Sequence, residues 1–263
     1  MKIGVFAGIG ALALLAGAAQ AQSVTLEDGN SLVHVNLNSA SGMDNWQVDG
    51  VGHLFQQWFW YRIGQGAEQS LDTLGYQGHI VSNTNFDPRD DTVVASYSNG
   101  QLSAEVTFGL QGGLAGDGNS DILEQIRLVN VGTSVLEINF FQYSDFDMGG
   151  SPSGDTVFIP SGNVAQQFEG GLAFQETVVT PAATRWQAGP FASILNLLND
   201  GVATDLNMDG GPYSGDMTWA YQWTLTLAPG DSFLISKDKS ITPAPGAMAL
   251  LGLGGLAMAR RRR

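Results

Sequence analysis

The stretch Met217–Leu227, MTWAYQWTLTL, sets Trp219, Tyr221, Trp223, Leu225 and Leu227 in alternation with Ala220, Gln222, Thr224 and Thr226. A strict period of two puts every large side chain on one face of an extended strand, which a 3.6-residue helical repeat cannot do. Comparable short apolar runs recur along the chain at 31–37, 54–64, 92–98, 102–110, 122–131, 136–146, 155–159, 172–179 and 232–241, separated by clusters of Gly, Asn, Ser, Asp and Thr. Many short strands between turn signals predict an all-β fold, an antiparallel β-sandwich. Pro229-Gly230 and the segment NVGTS before Leu136 have turn chemistry, and they predict hairpins between the strands they join. In PFASILNLLNDG, Phe191, Ile194, Leu195 and Leu198 follow a helical spacing between Pro190 and Gly201, which predicts one short helix near 191–199.

Both ends differ from the body. Residues 1–21 carry Lys2, an apolar run and the small-x-small site Ala19-Gln20-Ala21, the pattern of a cleaved secretory signal peptide. Gly246 to Ala259 would span roughly 21 Å as a helix, short of the ~30 Å hydrocarbon core of a bilayer, and ends in Arg260, Arg261, Arg262 and Arg263. Clustered arginines stay on the cytoplasmic side, so both termini predict export with transient association at the inner membrane. The remaining residues, 22–242, are enough for one domain that buries roughly 70% of its unfolded surface, with 237–245, KDKSITPAP, as its exit. The chain has no cysteine, so an exported domain of this kind is held by its core alone, and cysteine-based zinc and redox chemistry are excluded. Five of the 11 basic residues and none of the 25 acidic ones lie in the two terminal segments, leaving the body at −19. Such a charge repels phosphate backbones and excludes nucleic acid, while cations, basic proteins and neutral glycans remain open; it also suits solubility in a salty medium.

The tail, Pro243-Ala244-Pro245 followed by GAMALLGLGGLAMA and four arginines, resembles the PEP-CTERM sorting signal of exopolysaccharide-producing Gram-negative bacteria. The resemblance covers residues 243–263, and Ala244 replaces the family's usual glutamate. It implies recognition by an exosortase, a membrane transpeptidase-like processing enzyme, and delivery to the cell surface, outer envelope or extracellular matrix.

Candidate chemistry is sparse. DLNMDGGPYSGD, residues 205–216, offers Asp205, Asn207, Asp209 and Asp216 in the order of a calcium loop, with Gly210 at the sharp turn. It departs from the EF-hand pattern in Pro212, in the aspartate at its twelfth position and in leading into a strand, and an ordinary acidic turn has the same composition. GDGNSD, with Asp117, Asn119 and Asp121, is a weaker copy. Asp145 and Asp147, two apart at a strand end, share a face, and the spacing reads as a turn or metal role ahead of acid catalysis. In WFWYR, Trp58 and Trp60 alternate with Phe59 and Tyr61, the pattern of a strand buried on both faces. His34, His53 and His79 have no metal spacing, no nucleophile motif is present, and no glycine-rich stretch leads into a phosphate-binding helix. The leading expectation is therefore a non-enzymatic structural protein of the cell surface or matrix, associated with exopolysaccharide. The alternatives are a calcium-dependent carbohydrate-binding module and a polysaccharide-active enzyme.

Overall fold

A computed structural model of the chain describes residues 22–244; the expected signal peptide and most of the expected sorting tail, 1–21 and 245–263, lie outside the described residues. The chain builds β1 (Ser23–Asp28), β2 (Ser31–Asn36), β3 (Met43–Val48), β4 (Val51–Gly52), β5 (Gln56–Ile63) and β6 (Gln69–Ser70) in one sheet. It then crosses to a second sheet for β7 (Tyr76–Ser82), β8 (Thr92–Ser98), β9 (Leu102–Gly112) and β10 (Ser120–Asn130). β11 (Leu136–Asp145) returns to the first sheet, and β12 (Asp155–Ser161), β13 (Val164–Glu169) and β14 (Leu172–Thr180) extend the second. β15 (Arg185–Pro190), helix α1 (Ser193–Asn199), β16 (Tyr213–Gly215), β17 (Met217–Leu227) and β18 (Ser232–Pro243) complete the fold. The first sheet runs β1-β2-β3-β5-β11-β17-β15 and the second β16-β12-β13-β14-β18-β10-β9-β8-β7, with antiparallel pairing between neighbouring strands. This is the expected antiparallel sandwich with one short helix.

The two predicted hairpins do not form. β17 pairs with β11 and β15 in the first sheet, whereas β18 pairs with β10 and β14 in the second. The Pro229-Gly230 turn and the 131–135 turn each carry the chain across the sandwich. Asn130 ties the two crossings together: its side-chain amide donates to the carbonyls of Ser134 and Leu227, both at 2.8 Å, and its own carbonyl accepts from Gly230 N–H. Turn residues specify a reversal of direction; which sheet the next strand joins depends on the partners waiting there.

The anticipated exit is also a strand. β18 lies between β10 and β14, continues through Pro243, and Ala244 N–H donates to the Gly171 carbonyl. Its inward row reads Ile235, Lys237, Lys239, Ile241, and all four are buried. Lys237 and Lys239 both ion-pair with Glu124 of β10, and Lys237 Nζ lies 3.5 Å from Glu176 of β14. From the opposite sheet, Gln57 Oε1 accepts from Lys239 Nζ at 2.8 Å and the Gln142 amide donates to Glu176 at 2.8 Å. Lys237 Nζ stands 5.1 Å from the Phe59 ring centroid and 5.7 Å from that of Trp223, so the aromatic core adds a cation–π contribution. Around this charged centre pack Phe59, Phe108 and Phe140, with ring centroids 5.6 to 6.3 Å apart in stacked pairs. β5 is buried on both faces, as its alternation predicts, because Phe59 enters the sandwich while Trp60 lies beneath α1 with its indole N–H donating to Asn199.

Burial alone would push the Glu124 carboxyl up, but the ammonium groups of Lys237 and Lys239 outweigh it and hold the group below the ordinary carboxylate range. A depressed carboxylate stabilises the fold above the unfolded-state value near 4.5 and loses that contribution as pH falls through the lower folded-state value. Glu124→Gln leaves two lysines without their shared counter-charge, and should destabilise the protein by about 3–5 kcal/mol at pH 7. Urea unfolding should show that deficit in full at neutral pH and shrinking below about pH 4.

Candidate functional site

The central strands of the first sheet converge at one end: β5 begins there, β11 stops at Asp145, β15 runs out at Pro190, and β17 starts after Asp216. Backbone bonds join these ends, Phe55 N–H donating to the Asp145 carbonyl at 3.0 Å and Phe191 N–H to the Asp216 carbonyl at 2.9 Å. The Phe55 and Phe191 rings then meet edge to face, with centroids 6.1 Å apart, and both are about half exposed. Helical spacing had placed Phe191 on the buried face of the helix. The observed α1 starts later, at Ser193, and buries Ile194 and Leu198, which leaves Phe191 free to pair with Phe55 on the surface.

Beside this pair is a cleft of about 560 Å³, lined by Ala40, Ser41, Asp44, Phe55, Gln56, Trp60, Leu195 and Asn199. Asp44 is held by His34 Nδ1 and by the Asn36 amide, each at 2.6 Å, and Gln56 donates to the Ala40 carbonyl at 2.7 Å. An apolar floor and a few oriented polar groups suit an uncharged polyhydroxylated ligand better than an anion.

At the same strand ends lies an acid cluster. Asp145, Asp147 and Asp216 each place a ligand oxygen within 4.8 Å of the others, the one such group of acids and histidines among the described residues. Asp145 is buried and accepts from the Tyr143 hydroxyl at 3.0 Å. Burial, with Asp147 and Asp216 adding repulsion, pushes its carboxyl up to about 7. Asp155 on β12 is fully buried, and neither of its oxygens has a hydrogen-bond partner among the described residues. Burial and the charges of Glu169 and Asp147 push it up to about 7 as well.

The 205–216 loop does not bring its predicted ligands together. Asp205 accepts from Arg62 at 3.0 Å and from Gln222 at 2.8 Å, Asn207 accepts from the Asp209 amide, and Asp209 accepts from the Tyr213 hydroxyl at 2.6 Å. Only Asp216 reaches the acid cluster, on the far side of β16. Asp117 is likewise spent on backbone amides of Leu114 and Asn119. The histidines stay apart: His34 sits on Asp44, His53 Nδ1 accepts from Gly149 N–H, and His79 pairs with Tyr76. Of the sorting motif, Pro243 and Ala244 are in the described residues; Pro245 and the arginines, like Ala19 and Ala21, are outside them.

Sequence reasoning singled out Asp145, Asp147 and Asp216 in two separate motifs without joining them. It missed Asp44, Phe55, Gln56, Asn199 and Asp155. Phe55 had no separate signal, because the 54–64 run includes it whereas β5 begins at Gln56; Asp155 had none either, since what surrounds it is set by the packing of Asp147, Gln167 and Glu169.

No protein-family model matches the sequence, and no curated protein does either. Solved structures share the fold at low identity. A bacterial glucoamylase complexed with acarbose aligns with a TM-score of 0.57 at 8% identity, over 92% of this chain and 35% of that one. A GalM/aldose epimerase homologue from C. elegans gives 0.53 at 8%, over 85% and 99%. A galactose mutarotase-like protein from Clostridium acetobutylicum gives 0.51 at 8%, over 86% and 96%. This chain thus spans about a third of the glucoamylase and nearly the whole of the epimerase-like proteins. The fold is an aldose-epimerase-like β-sandwich. That finding overturns the expectation of a structural matrix protein, because the same architecture occurs in an aldose epimerase homologue and a galactose mutarotase-like protein.

Arg62, nearly buried, holds Glu68, Asp205 and the Thr204 carbonyl, and so pins the 200–212 loop over the first sheet. Arg62→Met should leave Glu68 buried without its counter-charge and cost about 3–5 kcal/mol. Limited proteolysis should then cut within 200–212, where the wild-type protein is resistant.

Proposed function

We propose that the protein binds a neutral glycan in the cleft beside Phe55 and Phe191. The observation that carries this reading is the pair of half-exposed aromatic rings packed edge to face at the mouth of a cleft with oriented amide and carboxylate groups. Exposed aromatics carry apolar faces that match the C–H faces of sugar rings, and Asp44, Gln56 and Asn199 supply acceptors and donors for hydroxyls. The strongly acidic body disfavours polyanionic glycans. The fold, shared with carbohydrate-active proteins, supports the same class of ligand.

Export accompanies this proposal. The signal-peptide pattern at residues 1–21 and the PEP-CTERM-like tail support a position for the cleft outside the inner membrane, where polysaccharide is available. Intact-mass measurement of the protein recovered from the producing cells should find an N-terminus at Gln22 and loss of the terminal arginines; a cytosolic protein with both ends uncut would remove the export reading.

Affinity electrophoresis against a panel of neutral polysaccharides should retard the wild-type protein in at least one. Phe55→Ala and Phe191→Ala should each weaken retention about three- to tenfold, with unchanged melting temperature because both rings are at the surface. Product analysis of the same mixtures separates the two forms of the proposal: intact glycan assigns a binder, and cleaved or anomerically equilibrated sugar assigns an enzyme. No retention and no product with any neutral glycan would overturn both.

A further inference from the structure

We infer that Asp145, Asp147 and Asp216 bind one calcium ion at the strand ends of the first sheet. Their ligand oxygens lie within 4.8 Å of one another, close enough for one ion to reach all three at calcium–oxygen distances of roughly 2.4 Å. Calcium accepts an irregular set of oxygen ligands, whereas magnesium demands near-ideal octahedral geometry. All three donors are hard carboxylate oxygens, the ligand type that calcium prefers over the softer metals.

Three further observations converge on the same place. None of the described ion pairs involves any of these carboxylates, so no lysine or arginine neutralises them. Asp155, wholly buried and with neither carboxyl oxygen hydrogen-bonded among the described residues, pairs in the β12–β16 ladder with Gly215, the residue before Asp216. Gln167, the amide beside it, donates instead to the Phe146 carbonyl. A group of carboxylates that no basic side chain of the described residues neutralises, beside a buried carboxyl with unpaired oxygens, is a setting in which a cation from solvent supplies the missing partner. Asp147 and Asp216 are half-buried, which leaves the ion a route in.

This centre differs from the loop that sequence spacing suggested. Asp205 and Asp209 are engaged by Arg62, Gln222 and Tyr213, and Asp216 alone is common to both sets. The ion would also brace the aromatic pair, because the backbone carbonyls of Asp145 and Asp216 hold the amides of Phe55 and Phe191. Calcium binding itself needs no glycan, so it stands or falls separately from the proposed function.

The test is calorimetric titration of calcium into the chelator-stripped full chain without any glycan, paired with thermal melts. One ion per chain is expected, with the melting temperature rising by about 5–10 °C when calcium is roughly 100-fold above Kd. Asp216→Asn, at a half-exposed position, and the double variant Asp147→Asn/Asp216→Asn should lose both heat and shift, while Asp209→Asn keeps both. Should the double variant fail to fold, Asp216→Asn alone decides. Neither heat nor shift at about ten millimolar calcium, above the range in which extracellular calcium modules bind, would overturn the inference. Loss of binding in Asp209→Asn with retention in Asp216→Asn would overturn it equally, by moving the ion to the 205–216 loop.

Discussion

The sandwich is organised around a charge cluster at its centre. Lys237 and Lys239 enter from β18, Glu124 from β10 and Glu176 from β14, and Gln57 and Gln142 meet them from the opposite sheet. Burying these groups is costly, and their mutual attraction offsets that cost only in one arrangement. A one-residue slip of β18 would turn the lysines to solvent and set Asp238 between Glu124 and Glu176. The cluster therefore fixes the register of the three strands that form the middle of the second sheet, and through the glutamines it aligns that sheet with the first. The aromatic packing around it supplies bulk stability, while the charges choose among ways of achieving it.

That alignment determines what stands at the open end of the first sheet. β5, β11 and β17 are held in register by continuous ladders, so Phe55, Asp145 and Asp216 arrive at the same edge. An apolar surface pair and a group of carboxylates thus adjoin although they come from three separate parts of the chain. The same edge faces α1 and the turn after β2, which close the cleft from the sides. The cleft and the acid cluster share one backbone framework, and a disturbance at either is transmitted by two main-chain hydrogen bonds.

Much of the architecture could be read in the residues. Alternation in Met217–Leu227 and its counterparts located the long strands, and the helical spacing found α1 within two residues of its start. What could not be read was partnership. Pro229-Gly230 announces a reversal, yet β17 and β18 go to different sheets because each has two partners elsewhere. KDKSITP overlaps the 232–241 run yet has the composition of a linker, and the glutamates of β10 and β14 are what hold its lysines in the core. The same limit applied to the site: Asp145 and Asp147 were visible as a local pair and Asp216 as the end of a loop motif. Their meeting is a product of the β11–β17 ladder, which no local pattern encodes. The edge strands β1, β7 and β15 and the interior strands β3 and β13 were passed over because their polar and small residues dilute the periodic signal.

The position of β18 has a consequence for how the molecule comes into being. It is the last strand of the chain and lies between β10 and β14, so until it arrives the second sheet consists of two pieces, each with an open edge. Pairings such as Ser120 with Ile241 and Ile63 with Ile138 join residues far apart in sequence, which places this topology among the slow, millisecond-to-second folders. Synthesis from the N-terminus therefore leaves the domain unfinished until its final segment is made. A chain stalled or cut upstream of Ser232 is not a trimmed version of the protein but two unpaired half-sheets, with the exposed strand edges on which aggregation begins.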